Sequence, residues 1–323
     1  MWGFSAVDVG IDVSPQRIGV GEVAWRRGHA LGARRSAVLE RASGARNAGP
    51  TTEEVAWVQS VLTAWRCRPA SIALTVADAQ VGSACLQVPA WLHGEDLVQV
   101  VRDDLHSHVG LDLDQVALDF CGVQTRVSEP SLPAGNASEG YQWIDAYWIP
   151  VSVVEAQVLA WRSIGVPVGR VEPQSVALAR GLQQLSSAST ILCVDVQAFG
   201  VLCVWVGSGG HLERMWFSSE ERVTGAPSMS NAVAPGLIDL DESSPHGLLS
   251  DVEQRVAHWL DGVQGDEVAW WLRGQSALAS DIRTTLSRLM HEMPTASEYL
   301  APLPTQAWDP ATAAWGVAWT REV

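Results

Sequence analysis

The chain has 323 residues and a formal net charge of −15, from 21 basic and 36 acidic residues. A chain of this length predicts about two domains, and an apolar content of 47% with 18% charged residues is typical of a globular protein. The negative charge repels phosphate backbones, which excludes nucleic acid as the main partner. Every basic residue is an arginine, which excludes kinases and P-loop NTPases that hold phosphate with a lysine.

The cysteines and the apolar stretches bear on the compartment. The five cysteines are scattered along the chain: Cys67, Cys85, Cys121, Cys193 and Cys203. No two of them have the spacing of a zinc site or a redox pair, so we expect reduced thiols in the cytoplasm. The N-terminus does not resemble a signal peptide. Residues 190–207 include Asp195 and Gly200 and are short for a membrane span, so we expect a buried β-hairpin there.

The first half of the chain opens with a strand, a tight turn and a second strand. Apolar, β-branched residues at 7–13 and 18–25 predict these strands, with the turn at 14–17. A loop rich in Gly, Arg and Ala follows. Thr51 and Glu54 then form a capping-box pattern that predicts a helix to about residue 65. The other elements expected in this half are strands at 71–76, 85–88, 116–121 and 142–150 and helices at 94–108, 155–162 and 173–185.

The second half repeats this organisation. A strand pair at 191–196 and 201–205 opens it, and helices at 248–260 and 277–289 flank a short buried strand at 268–272. Residues 218–247 are rich in Pro, Ser, Gly and Asp and predict little regular structure, and an apolar helix is expected at 310–319. The chain is therefore predicted to contain two α/β halves, each opened by a β-turn-β unit that carries an aspartate, Asp12 or Asp195.

The first β-turn-β unit resembles the phosphate-binding loop of actin-like ATPases. Residues 10–23 read GIDVSPQRIGVGEV, and Glu22 follows Asp12 by ten residues, as in the family pattern that begins GIDIGSSS. Further segments that resemble the family lie at 86–89, 114–120, 165–178, 272–278 and 309–318. Their order and spacing resemble most closely the PilM family of cytoplasmic type IV pilus assembly proteins, which are relatives of FtsA.

The resemblance implies an α/β fold of the actin-like type, a duplicated ribonuclease H-like fold of two domains with a small inserted subdomain. It implies a first subdomain of residues 1–88 and 152–188 and an inserted subdomain of 89–151. The second domain would comprise residues 189–225 and 268–323, with a reduced subdomain at 226–267.

The resemblance also implies an ATP and Mg²⁺ site. The residues that match its loops are Asp12, Ser14, Gln16, Arg17, Asp195, Gln197, Ala198, Gly274 and Gln275, with Asp12 and Asp195 reaching the metal through its water ligands. Ser14, Gln197 and Gln275 stand where the family has glycine. A Cβ at a position that needs a positive φ costs about 1–2 kcal/mol, so three such changes lower the affinity roughly a thousandfold if they add. We therefore expect ATP binding to be weak or lost, as in a pseudo-ATPase without catalytic residues.

The function implied by the resemblance is that of an adaptor at the cytoplasmic face of the inner membrane, in a type IV pilus, competence or type II secretion system. Its expected partner is the N-terminal tail of a PilN-like membrane protein, bound in a groove around Val88, Trp91, Trp148 and Ile149. A PilO-like protein and the pilus assembly ATPase are further expected partners.

Two alternatives to the adaptor remain open at this point, and a third lacks the residues that it would need. The chain could be a nucleotide-dependent switch with slow ATPase activity, or an FtsA-like filament former. A sugar or acetate kinase of the same superfamily would need intact phosphate loops and a catalytic base, and the sequence offers neither.

Overall fold

The computed structural model describes fifteen stretches of the chain: residues 7–14, 16–26, 29–41, 49–67, 69, 71–109, 112–123, 141–185, 188–197, 200–207, 212–218, 245–261, 263, 268–273 and 277–291. These residues form two compact units. The first unit contains the described residues up to Ala79 and from Ala156 onward, and the second contains those of Gln80–Glu155.

The described strands and helices have the following bounds. The strands are β1 (Val7–Val13), β2 (Arg17–Arg26), β3 (His29–Glu40), β4 (Ile72–Val76), β5 (Gly82–Pro89), β6 (Val116–Val123), β7 (Tyr141–Pro150), β8 (Val168–Pro173), β9 (Thr190–Gln197), β10 (Gly200–Val206), β11 (Leu212–Ser218) and β12 (Val268–Arg273). The α-helices are α1 (Thr52–Ala64), α2 (Gly94–Val109), α3 (Val151–Trp161), α4 (Gln174–Leu185), α5 (Pro245–Asp261) and α6 (Ala277–His291).

The two sheets of the first unit share the order of four strands, and one of them has a fifth strand at its edge. One sheet runs β3-β2-β1-β4-β8 and the other runs β11-β10-β9-β12. In each sheet, three sequential strands pair antiparallel, and a later strand pairs parallel to the first of them, β4 with β1 and β12 with β9. This repeat confirms the prediction of two α/β halves, each opened by a strand pair.

Each hairpin carries its aspartate near the end of its first strand. Asp12 is the register partner of Gly19 in β1–β2, and Asp195 is the register partner of Leu202 in β9–β10. Every residue of β9 and β10 is buried, as expected for a hairpin covered on both faces. The expected hairpin at 190–207 is therefore confirmed.

The helices of the first unit pack on these sheets with their apolar faces. Helix α1 begins at the predicted capping box, where Glu54 N donates to Thr51 Oγ1 at 3.2 Å and Thr51 N donates to Glu54 Oε2 at 2.7 Å. Its buried residues Val55, Val58 and Leu62 belong to the core of the first sheet. Helix α4 packs on one face of the second sheet, and α5 and α6 pack on the other face.

The described residues of the second unit form an antiparallel sheet with one covering helix. Its strand order is β5-β7-β6, and α2 packs on one face through Val101 and Leu105, which contact a core that includes Ile144 and Trp148. Strand β5 pairs along its whole length with β7. Residues 82–88 therefore belong to the inserted unit, which begins earlier than the boundary at residue 89 that the sequence suggested.

The structure differs from the sequence prediction at four other elements. Strand β3 occupies part of the predicted Gly/Arg/Ala-rich loop, and β8 and β11 are strands that the sequence did not reveal. Helix α3 begins at Val151, earlier than expected. The predicted helix at 310–319 and most of the stretch at 218–247 lie outside the described residues. The subdivision of the first unit into subdomains remains a prediction.

Candidate functional site

The two hairpin aspartates belong to one network of buried polar side chains. We call it the central polar cluster, and its members are Asp12, Arg17, Thr75, Gln174, Asp195, Gln197 and Arg273. On the Asp12 side, Thr75 Oγ1 donates to Asp12 Oδ1 at 2.6 Å, and Gln174 Nε2 donates to both carboxylate oxygens at 2.9 and 3.1 Å. Thr75 also accepts from Val13 N at 3.2 Å, which fixes its hydroxyl between strands β1 and β4.

Two glutamines connect this half of the cluster to Asp195. Gln197 Nε2 donates to Asp195 Oδ2 at 2.9 Å and to Gln174 Oε1 at 3.0 Å. Gln174 is the first residue of α4 and is fully buried. A continuous chain of hydrogen bonds therefore links the aspartate of the first hairpin to that of the second.

Two arginines supply the positive charge of the cluster. Arg273 lies between the aspartates, with its Nε 3.4 Å from Asp195 Oδ1 and its Nη2 3.9 Å from Asp12 Oδ2. Arg17 Nη2 lies 3.6 Å from Asp195 Oδ1. The aspartate side chains are no more than 1% exposed, and the arginine side chains are 9% and 12% exposed. Two buried carboxyl groups thus face the buried guanidinium of Arg273 and the partly exposed guanidinium of Arg17.

Burial dominates the titration of both aspartates. Desolvation raises the pKa of Asp12, although the charge of Arg17 and the hydrogen bonds from Thr75 and Gln174 offset part of the effect. Desolvation likewise raises the pKa of Asp195, opposed by Arg17 and Gln197 and reinforced by the negative charge of Asp12. The two carboxylates therefore depend on the neighbouring arginines for the stability of their charged forms.

The turn of the first hairpin uses its own polar groups internally. Ser14 N donates to Arg17 O at 3.0 Å, and Arg17 N donates to Ser14 Oγ at 3.2 Å. Arg41 Nη1 donates to Ser14 O at 3.0 Å, and the same guanidinium donates from Nε and Nη2 to Glu54 at 2.8 and 3.1 Å. This arrangement ties the turn to the N-terminus of α1.

The backbone angles change one expectation about Ser14 and Gln197. Among the described residues, Arg66 alone combines a side chain with a positive φ. Ser14 and Gln197 therefore do not carry the strain that a side chain in a glycine conformation would cause. The turn has adopted a conformation that suits its residues, and the strain argument for weak nucleotide binding does not hold at these two positions.

A second buried ion pair joins the strands near α4. Asp78 Oδ2 accepts from Ser175 N at 2.7 Å, and Asp78 Oδ1 accepts from Ser175 Oγ at 2.6 Å. Arg214 of β11 also donates to Asp78. This carboxylate fixes the start of α4, and with it the position of Gln174 in the central polar cluster.

The predicted nucleotide residues fall into three groups. Asp12, Arg17, Asp195 and Gln197 come together in the central polar cluster, and Ser14 and Gln16 form the adjacent turn. Ala198, Gly274 and Gln275 lie outside the described residues. The sequence prediction missed three members of the cluster: Thr75, Gln174 and Arg273. The one available signal was Arg273, a charged residue that ends the apolar strand VAWWLR.

The structure separates the four predicted partner residues into three buried ones and one exposed one. Val88, Trp148 and Ile149 are between 0% and 7% exposed, and Val88 and Trp148 form the core beneath α2. These three side chains are interior residues and do not offer a surface to a partner, so that part of the groove prediction is wrong. Trp91 is 73% exposed and remains the candidate contact residue.

ATP with Mg²⁺ is the ligand that the fold family implies at these aspartates, and the residues present do not fit it. Two unit charges about 4 Å apart interact by about 4 kcal/mol at the effective dielectric constant of a protein, so Arg17 and Arg273 would oppose a divalent cation at this position. The amide of Ser14, which would face a phosphate, donates to Arg17 O instead. The two aspartates already have two guanidinium groups beside them as counter-charges, at 3.4 to 3.9 Å.

No group of three or more His, Cys, Asp and Glu side chains is arranged to hold a metal ion within the described residues. The helices described here include none that is both long and apolar enough to cross a membrane.

Comparison with solved structures identifies the fold. The chain is similar to a structure described as a PilM–PilN type IV pilus biogenesis complex, with 14% identity, 97% of each chain covered and a TM-score of 0.63. A Bacteroides thetaiotaomicron protein with an actin-like ATPase fold and unknown function is 11% identical over 93% of this chain and 94% of that one, with a TM-score of 0.43. The cytoplasmic domain of EpsL, an inner-membrane component of the type II secretion system of Vibrio cholerae, is 10% identical over 88% and 95%, with a TM-score of 0.41.

Sequence comparison adds no assignment: the chain matches no protein-family model and no curated protein. The repeated strand order and the similarity to the PilM–PilN structure together show that the chain has the actin-like α/β fold that the sequence predicted.

Proposed function

We propose that the chain is a scaffold protein of a type IV pilus, competence or type II secretion machine, and that it binds the N-terminal tail of a PilN-like membrane protein. The observation that carries this proposal is the similarity to the PilM–PilN structure, which extends over 97% of both chains. In this proposal the chain works at the cytoplasmic face of the inner membrane, and a PilO-like protein and the assembly ATPase are further partners.

The central polar cluster supports a scaffold role over a catalytic one. Asp12 and Asp195 are the residues that would act on a nucleotide-bound metal, yet each is fully buried and already paired with protein groups. A scaffold needs a defined shape and a binding surface, and the hydrogen bonds that link the two hairpins through Gln174 and Gln197 hold that shape without a ligand.

We place the partner surface at Trp91, in the inserted unit. Trp91 lies two residues after the end of β5 and is 73% exposed, and Val98 on α2 is 39% exposed. Exposed tryptophans are enriched among the residues that dominate protein interfaces. Glu95 and Asp96 in the first turn of α2 are exposed and acidic, so the surface suits a peptide that combines apolar and basic side chains.

The test is a titration with a synthetic, fluorescently labelled peptide that corresponds to the cytoplasmic tail of the PilN-like protein from the same organism. We expect saturable binding and a loss of about tenfold or more in affinity for Trp91→Ala, with an unchanged melting temperature. Leu159→Ala is the matched control, because Leu159 is 64% exposed but lies in the first unit. Equal losses in both variants, or no binding to the native protein, would contradict the proposal.

One observation favours a second candidate, a nucleotide-dependent switch: Asp12 and Asp195 do come together in a single cluster. The same peptide titration separates the two candidates when it is repeated with millimolar Mg-ATP. The scaffold predicts an unchanged Kd for the peptide, whereas the switch predicts a shift that Asp12→Ala abolishes.

A further inference from the structure

We propose that Arg273, assisted by Arg17, is a built-in counter-ion for the Asp12–Asp195 pair and takes the place of a divalent cation in the core of this protein. On this proposal the cluster does not fit Mg-ATP because arginine side chains supply the positive charge that a bound metal ion would otherwise supply. The proposal concerns the cluster alone and does not depend on the partner proposed above.

The position of Arg273 carries the argument. Its guanidinium lies within 4 Å of a carboxylate oxygen of both aspartates, at 3.4 and 3.9 Å, so one side chain neutralises residues from both hairpins. Strand register fixes this placement, because Arg273 of β12 is the partner of Asp195 on the neighbouring strand β9.

The hydrogen bonding of Arg273 shows that charge, more than directional bonding, holds it there. Its Nε, Nη1 and Nη2 atoms are buried and have no hydrogen-bond partner among the described residues. A buried guanidinium without such partners is costly unless nearby anions compensate it. The two aspartates provide that compensation, and they need the arginine in return because burial disfavours their charged forms.

If Arg273 takes the place of a divalent cation, a variant that lacks its guanidinium should behave in a specific way. In Arg273→Ala the two carboxylates keep their positions through Thr75, Gln174 and Gln197 but lose a counter-charge, and the removed side chain leaves room for a small hydrated cation. Two close carboxylates with open space beside them suit a hard divalent ion such as Mg²⁺. The variant should therefore acquire a dependence on Mg²⁺ that the native protein lacks.

The experiment is thermal unfolding of the full chain and its variants in EDTA, in millimolar MgCl₂, and in NaCl at matched ionic strength. We expect Arg273→Ala to melt about 5 °C or more below the native protein in EDTA and to recover at least half of that loss in MgCl₂ but not in NaCl. Arg273→Lys, which keeps the charge, should show no response specific to Mg²⁺. Arg288→Ala is the control, because it removes an exposed arginine paired with Glu253.

Several results would overturn the proposal. One is an Arg273→Ala variant that gains no more from MgCl₂ than from NaCl, and another is a native protein that MgCl₂ stabilises as strongly as the variant. Stabilisation of the native protein by inorganic phosphate at matched ionic strength would show that the arginines are anion ligands instead. If Arg273→Ala does not fold, Arg17→Ala serves in the same comparison, because it also uncovers Asp195.

Discussion

Arg273 and Asp195 are register partners on the parallel strands β12 and β9, and Arg273 Nε lies 3.4 Å from Asp195 Oδ1. The pair joins the aspartate of the second hairpin to strand β12, and Arg273 also lies 3.9 Å from Asp12 of the first hairpin. An actin-like architecture thereby obtains from its own side chains the positive charge that a nucleotide-bound metal supplies in the family it resembles.

The contact between Gly82 and Trp148 gives a first prediction about stability. These residues are register partners in β5–β7, and a Cβ at Gly82 would lie 2.0 Å from Trp148 Cε2. Because Trp148 is buried and cannot swing into solvent, Gly82→Ala should lower the free energy of unfolding by about 3 kcal/mol. Urea unfolding followed by tryptophan fluorescence measures this change.

Two further variants check the steric explanation. Gly49→Ala introduces a Cβ with no atom within 4 Å, and it should change the free energy of unfolding by less than about 0.5 kcal/mol. Trp148→Phe in the Gly82→Ala background should recover part of the loss, since the smaller ring frees space. A Gly82→Ala variant as stable as Gly49→Ala would show that the strand accommodates the methyl group and that the contact is not tight.

The Arg41–Glu54 pair predicts a pH dependence. Burial alone would raise the pKa of Glu54, but the hydrogen bonds from Arg41 and Thr51 and the charge of Arg41 together lower it from its ordinary value of 4.5. A carboxylate whose pKa is lowered by folding stabilises the protein above its unfolded pKa, and this contribution is lost as the pH falls through the lower, folded value.

Glu54→Gln should therefore cost about 3 kcal/mol of the free energy of unfolding near neutral pH, because the buried guanidinium of Arg41 loses its counter-charge. The difference from the native protein should shrink as the pH falls below 4.5. Glu253→Gln, which breaks a surface pair with Arg288, should cost less than about 1 kcal/mol. Denaturant unfolding at a series of pH values tests both, and a cost for Glu54→Gln that stays constant with pH would contradict the role of its charge.

The thiol of Cys67 should be unreactive in the folded protein. Burial raises its pKa to about 11, and the nearby charge of Glu22 adds to the effect, against Arg35 and Arg34. The thiolate fraction near neutral pH is then about a hundredfold lower than at the ordinary value of 9.0. Iodoacetamide labelling mapped by mass spectrometry should show slow modification of Cys67 in the native protein and rapid modification in urea. Labelling as fast in the native as in the unfolded protein would place this thiol at the surface.

The sequence predicted those parts of the fold that depend on local pattern. Both hairpins, the capping box at Thr51 and the helix in the inserted unit follow from hydrophobic periodicity and turn chemistry, which are properties of neighbouring residues. Strand β3 was not predicted because its residues are largely small or charged. It forms on the exposed edge of β2, where Arg34 and Arg35 pair with the buried Glu22, a contact that no local pattern reveals.

The candidate site shows more clearly that local sequence patterns do not reveal contacts between distant residues. Asp12 and Asp195 could be identified because each stands in a recognisable turn motif. Gln174 could not be identified, and Arg273 was marked only by its charge at the end of an apolar strand. The roles of both residues arise when α4 and β12 bring them beside those aspartates in the folded chain. Three of the residues predicted for the partner groove are interior for a related reason: a tryptophan such as Trp148, at a strand end in the sequence, is a core residue once β5, β7 and α2 assemble.

The most direct test of the account is calorimetric titration of the native protein with millimolar Mg-ATP, accompanied by thermal unfolding under the same conditions. The account predicts no heat beyond that of dilution and no change in melting temperature, because Arg17 and Arg273 already neutralise the two aspartates. Saturable binding with a micromolar Kd that Asp12→Ala abolishes would contradict it. That result would show that the nucleotide and its metal displace these arginines from the aspartates.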